Sequence, residues 1–149
     1  VMLKAISITK LFNEEVHNQL FYYYEQESGV SEAPKAKPCF DTYKAMEDQG
    51  RLTISGLYAD NTLVGFCVIA YVYLTHSSSL AAIIDGFFIL PENRKFGGGR
   101  DLIKHAEQVA IDKGATVITM TSPVNSRLSK VADSFGYKTT NVIHSKKLV

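Results

Sequence analysis

Apolar and polar positions divide the chain into segments of two different periods. Leu3 to Ile8 (LKAISI) reads as a first strand. Val16, Leu20 and Tyr23 then recur at helical spacing, which predicts a helix to about Glu27, with Asn13 as its N-cap and Gly29 as its stop. The prolines, lysines and glycine of Ser28 to Cys39 (SGVSEAPKAKPC) predict a loop. A short helix follows from about Asp41 to Gln49, closed by Gly50. Leu52 to Tyr58 reads as a strand and Asp60-Asn61 as a turn. The long apolar run Leu63 to Leu74 (LVGFCVIAYVYL) predicts a central strand. His76 to Ser79 interrupts it, and Ala81 to Leu90 (AAIIDGFFIL) is a further buried strand stopped by Pro91.

Beyond Pro91 the period changes. A glycine loop leads into a helix over Arg100 to Lys113, with Leu102, Ile103, Ala106, Val109 and Ala110 on one face and Gly114 as its cap. Thr116 to Thr121 reads as a strand, Asn125 to Phe135 as a helix ended by Gly136, and Tyr137 to Leu148 as one or two last strands. The order is β-α-α-β-β-β-α-β-α-β. Tight turns make the early strands antiparallel, whereas the strand–helix–strand crossover from Ile83 to Met120 favours a parallel pair. The expected fold is therefore α/β (α+β). It is a single domain over residues 1–149, with a mixed twisted sheet of six to seven strands and helices on both faces.

Composition narrows the function. A chain of 149 residues, 46% hydrophobic and 21% charged, fits one globular domain with a proper core. A net charge of +1 gives no global field for nucleic acid or an anionic membrane, so an anionic ligand must be held by local geometry. The two cysteines, Cys39 and Cys67, make neither a disulfide framework nor a zinc site, and no metal is expected. No apolar stretch approaches the ~20 residues that span a bilayer. The opening residues lack the layout of a secretory signal. A reducing, cytoplasmic setting is the expectation.

The chemistry is concentrated in Arg94-Lys95-Phe96-Gly97-Gly98-Gly99, between a buried strand and a helix. Glycines let the backbone turn tightly and come close to a ligand. Amides of the loop and of the first helical turn then converge at the positive end of the helix dipole, a setting that binds phosphate. Arg94 and Arg100 can add charge-assisted bonds. A lysine–serine/threonine pair after the glycines is missing, which sets aside a nucleotide P-loop. The glycines are adjacent and follow the fourth strand, unlike a dinucleotide fingerprint. A plain glycine turn is the competing reading.

The stretch from Asp85 to Ile103 (DGFFILPENRKFGGGRDLI) resembles the core motif of the GNAT superfamily of N-acyltransferases. That signature is Arg or Gln, two residues, Gly, one residue, then Gly or Ala, here Arg94, Gly97 and Gly99. It follows a strand end similar to Ile89-Leu90-Pro91-Glu92. Asn125…Phe135-Gly136-Tyr137 is similar to a second family segment, so the resemblance spans nearly the whole chain. It implies acetyl-CoA, or a close relative, as the acyl donor. It also implies direct transfer of the acyl group to an amine in a ternary complex. Phe88, Ile89 and Leu90 would pair with the pantetheine arm, and the amides from Lys95 to Arg100 would hold the pyrophosphate. Two strands would splay beside this point. Asn125 would bond the pantetheine region, or would only cap its helix. The acceptor would be an amine-bearing small molecule or protein, with no nucleic acid and no membrane as partner; a homodimer is compatible with the family.

An alkyl amine has a pKa of ~10.4, so something must take its proton before attack. Asp85, a lone carboxylate in an apolar strand, is the candidate base, with burial expected to raise its pKa. A structural carboxylate is the alternative. The family's usual acid, a tyrosine seven residues after the motif asparagine, falls on Ala132 here. Ser129 and Tyr137 are weaker substitutes, and water can protonate the departing thiolate. That departure also motivates a second reading, a catalytically weak acyl-CoA-binding module of the same fold. His76 is a loop histidine that could act as a base, and the segments Ser28 to Cys39 and Tyr71 to Ser79 would flank the acceptor.

Overall fold

The computed structural model describes residues 2–13, 18, 19, 22, 39–95 and 97–149. Five strands form one sheet in the order β1-β2-β3-β4-β5. They are β1 (Met2–Ile6), β2 (Leu52–Ala59), β3 (Thr62–Leu74), β4 (Ser79–Ile89) and β5 (Ala115–Met120). The helices are α1 (Ile8–Asn13), α2 (Phe40–Asp48), α3 (Gly98–Asp112) and α4 (Arg127–Val131). Short 3₁₀ turns cover Pro91–Asn93 and Ala132–Phe135. Among the described residues no helix is long and apolar enough to cross a membrane.

The first four strands pair antiparallel, and β4 pairs with β5 in parallel through the α3 crossover. The mixed sheet is thus as expected, but it has five strands rather than six to seven. The expected last strands fail over Lys138 to Val149, which is exposed and carries no ladder. The physical reason lies in the pattern. Val142 and Ile143 are adjacent, so in a strand they would point to opposite faces, and they are 74% and 67% exposed. No single apolar face pulls this segment onto the core.

Both faces of the sheet are covered, since five consecutive β2 residues from Ile54 to Tyr58 are buried. On one face α3 lays Leu102, Ile103, Ala106 and Ala110 onto the core, and His105 Nδ1 meets the buried Ser55 hydroxyl at 3.0 Å. Cys67 is the fully buried core residue its apolar surroundings suggest, and burial pushes its thiol up to about 12. Elsewhere Glu47 of α2 accepts the Ile8 N–H at 2.7 Å, tying α2 to the start of α1.

The N-terminal region corrects one expectation. The Ser7 hydroxyl accepts the Lys10 N–H at 3.0 Å and starts a helix in which Asn13 is the last of the consecutive described residues. Asn13 is therefore not an N-cap. The competition is local: Ile8 and Leu11, spaced for one helical face, are both buried and draw the helix start forward. The expected helix from Val16 to Glu27 and the loop from Ser28 lie largely outside the described residues; Asn18, Gln19 and Tyr22 are helical.

Candidate active site

The site is built on an interruption of β4. Val68 pairs with Gly86 but the next residue, Ile69, pairs with Ile84, so Asp85 is the extra residue of a β-bulge. The parallel ladder to β5 ends at the same place, at Ile84 with Met120. From Gly86 onward β4 keeps only its β3 neighbour. β5 itself ends at Met120, so this stretch of β4 has no pairing partner on that side among the described residues.

Hydrogen-bond alternation says which peptide groups face the opening. The Leu90 N–H donates to the Val64 carbonyl at 2.9 Å, so Leu90 and, two residues back, Phe88 spend their backbone groups on β3. Phe87 and Ile89 occupy the alternate positions, and their peptide groups face away from β3. The Ile89 carbonyl accepts the Arg94 Nε at 2.7 Å. The strand's amide donors toward the opening are thus those of Phe87 and Ile89. Phe88 and Leu90 were expected to serve there; their amides are turned the other way. The direction of the Phe87 amide has no signal in the sequence, because strand parity past a bulge is set by the bulge, and no residue type announces one.

The glycine loop lies against the same opening. Gly97 sits at φ +75°, a left-handed conformation that glycine adopts without strain, and it immediately precedes α3. The Asp101 N–H closes onto the Gly97 carbonyl at 3.1 Å, so the amides of Gly98, Gly99 and Arg100 belong to the unsatisfied first turn. Gly98 is buried, and a Cβ there would come within 3.1 Å of Leu57 Cδ2. A Cβ on Gly99 would lie 3.7 Å from Ile89 Cδ1 and 3.8 Å from Phe87 Cζ, which places the helix start directly beside that stretch of β4. Arg94 holds the loop to the strand end through Ile89, with its guanidinium 5.2 Å from the Phe88 ring centre. Lys95 and Arg100 are exposed. Phe96 lies outside the described residues.

The acid–base candidates are placed less uniformly. Asp85 stands at the bulge, two residues before the Phe87 amide, but its side chain is exposed rather than buried. A bulge re-aims the side chain it inserts, and a polar carboxylate takes the solvent side. The burial expected of it is not found, although the position beside the opening stands. Ala132 begins a 3₁₀ turn and offers no donor. The Tyr137 hydroxyl donates to Glu107 Oε1 of α3 at 2.8 Å, and burial followed by that carboxylate pushes its pKa up. The Ser129 hydroxyl donates to the Ser126 carbonyl at 2.8 Å. Asn125 is exposed at φ +61° and does not cap α4; Ser126 does, accepting the Ser129 N–H at 3.1 Å. His76 is exposed in the β3–β4 turn.

The fold as a whole is shared with solved acetyltransferases. An aminoglycoside acetyltransferase from an uncultured soil metagenomic sample, solved with sisomicin, superposes with a TM-score of 0.78 at 15% identity, covering 99% of this chain and 95% of that one. A ribosomal-protein-alanine N-acetyltransferase from Brucella melitensis biovar Abortus 2308 gives 0.70 at 16% identity, over 97% and 99% of the two chains. Glucosamine-6-phosphate N-acetyltransferase from Arabidopsis thaliana gives 0.72 at 8% identity, over 97% and 96%. These likenesses establish the fold. No curated protein matches the sequence. The acetyltransferase (GNAT) family model matches residues 13–137, and the chain belongs to that family.

Proposed function

We propose that the chain is an N-acetyltransferase that moves an acetyl group from acetyl-CoA to an amine by direct attack in a ternary complex. One observation carries this reading: β4 loses its β5 partner at the Asp85 bulge, and the glycine-started helix begins beside the strand left open. A thin, extended donor fits that geometry. Its pyrophosphate would lie on the first-turn amides of Gly98, Gly99 and Arg100, where the helix dipole favours anions. Its pantetheine arm would lie along the unpaired edge of β4 and accept from the Ile89 N–H. The Phe87 N–H, nearer the bulge, would donate to the thioester carbonyl as negative charge develops there.

In the reaction the amine nitrogen forms a bond to the acetyl carbon, and the carbon–sulfur bond breaks. The amine proton goes to Asp85, directly or through one water, and the CoA thiolate takes a proton from solvent. An exposed Asp85 reached through water suits the bulge geometry better than a buried base in direct contact. The acceptor is an amine-bearing small molecule or protein; the neighbours named above, acting on an aminoglycoside, a ribosomal protein and an amino-sugar phosphate, span both kinds.

Ala132 in the acid position, with Tyr137 committed to Glu107, supports a second reading, an acyl-CoA-binding module with weak chemistry. Thiol release from acetyl-CoA across a panel of amines separates the two. Turnover with any amine class is expected. CoA binding by calorimetry without thiol release would favour the binding module, and no CoA binding would remove both.

A further inference from the structure

The sheet ends differently on its two sides. β1 closes one edge and carries an exposed lysine, Lys4, a residue type that discourages a further strand from adding. β5 closes the other edge with Ala115–Met120 (ATVITM), a β-compatible run without a charge, a proline or a glycine. Among the described residues β5 is laddered to β4 alone. Thr116, Val117 and Thr119 are exposed, Val117 to 43%. Lys138 to Val149 does not cover this edge. That segment is exposed and carries no ladder, and the residue before it, Tyr137, is held to α3 through Glu107. Direction gives the edge its meaning. β5 runs parallel to β4, and its last residue, Met120, pairs with Ile84 immediately before the Asp85 bulge. The outer edge of β5 therefore leads to the opening.

We propose that the acceptor is the α-amine of an extended peptide, which adds antiparallel to the outer edge of β5. The inference rests on the acetyl-CoA reading and names its acceptor. A row of edge N–H and C=O groups recognises peptide backbone and asks little of side chains. The strand direction then selects the end. A segment antiparallel to β5 has its N-terminus at the Met120 end, beside the opening, whereas a parallel one would bring a carboxyl end, which accepts no acetyl group. Strands ~4.8 Å apart put the added segment about 10 Å from β4, a gap that about three extended residues of ~3.3 Å each can cross. The base agrees with this choice. Asp85 is exposed and takes the amine proton in contact with water. An acceptor that has already lost its proton asks least of such a base. At pH 7 roughly a tenth of peptide α-amines are neutral, against less than about a thousandth of lysine amines.

Thiol release from acetyl-CoA tests this on the intact chain, with synthetic peptides that begin with alanine, alternate valine and threonine, and end in arginine. Lengthening the peptide from two residues to eight is expected to raise kcat/KM by about tenfold or more, as backbone bonds to the edge are added. N-methyl groups on alternate peptide nitrogens are expected to abolish that gain in one register and to leave it in the other, because only every second N–H of an added strand faces the edge. A peptide with a blocked N-terminus and lysine as its first residue is expected to react at least about tenfold more slowly at pH 7. Hydrogen exchange reads the edge itself: every second amide of β5 is expected to exchange fast in the free chain and to slow when the eight-residue peptide binds. No dependence on length, equal effects of the two N-methyl registers, equal or faster reaction of the lysine peptide, or a fully protected β5 in the free chain would each overturn the inference and leave the acetyl-CoA reading in place. Thiol release with no amine of any class would sink that reading, and the peptide assignment with it.

Discussion

The two halves of β4 are made of similar residues and do different things. From Leu80 to Ile84 the strand is laddered on both sides, to β3 and to β5, and it serves the core. From Gly86 to Ile89 it is laddered to β3 alone, and every second peptide group faces an opening. The first half is built of Leu, Ala and Ile and the second of Gly, Phe and Ile, so both are apolar and hydrophobicity does not distinguish them. One inserted residue, Asp85, does. The comparison teaches that a ligand-facing edge can be made inside a sheet without changing residue type, by ending one neighbour's pairing at a bulge. In that half a backbone amide can be functional while the amides on either side of it are structural.

That alternation can be broken with proline, which removes one N–H at a time. Phe88→Pro deletes a donor that the ladder to β3 uses and a buried ring, and it is expected to cost more than ~3 kcal/mol and to lower the melting temperature sharply. Ile89→Pro deletes a donor facing the opening, so the β3 ladder persists while CoA affinity and turnover fall. Equal unfolding by both would show that the two faces of the strand are not divided as described.

Asp85→Asn keeps the size of the bulge side chain and removes its basic oxygen. If Asp85 takes the amine proton, turnover falls by about 10²–10⁴-fold with CoA affinity nearly unchanged. A loss below tenfold at saturating amine and neutral pH would leave Asp85 as the residue that forms the bulge and nothing more. Gly97→Ala tests the loop at lower cost. A Cβ there meets nothing within 4 Å, so the effect comes from the φ of +75° alone. About 1 kcal/mol of strain and a matching loss of CoA affinity, near fivefold, are expected in a folded protein.

The smallest effects concern pH. The folded-state pKa of Cys67 is raised from the ordinary 9.0 to about 12 by burial, and that of Tyr137 is raised by burial and Glu107. For a group whose folded pKa is raised, the unfolded chain releases its proton first. Stability is then full below the unfolded pKa and falls as pH climbs through the interval above it. Melting temperatures should be flat near neutrality and decline from about pH 9 toward 12, less steeply in Cys67→Ala. In the same range kcat/KM should rise and level off without an alkaline limb, because Tyr137 is turned to Glu107 and solvent protonates the thiolate. An alkaline limb that Tyr137→Phe abolishes would show that this hydroxyl is the acid after all.

Most of the scaffold was legible from pattern. The spans Leu52 to Tyr58, Leu63 to Leu74 and Ala81 to Leu90 are within a residue or two of β2, β3 and β4, because long β-branched and aromatic runs state their period plainly. The crossover helix, its buried face and its closing Gly114 were equally legible, as was the glycine loop at its start. Short elements were not. Asn13 and Asn125 look like caps, yet Ser7 and Ser126 hold those positions, since which of two neighbouring polar residues caps is decided by the apolar residues that must be buried next. The C-terminal segment reads as strand by composition, but a strand exists only if an edge and a face are available to it.

The sequence by itself determined the class of fold, the family and the loop that starts α3, because each is written in local periodicity or in contiguous residues. Tertiary structure alone decided which amides face the opening, that Asp85 is exposed, and that Arg100, Lys104, Glu107 and Phe135 share one cleft. The physical reason is that these depend on register and on contacts between residues far apart in the chain. A single inserted residue inverts strand parity relative to a neighbour, and nothing in its chemistry says whether the ladder will absorb it or open.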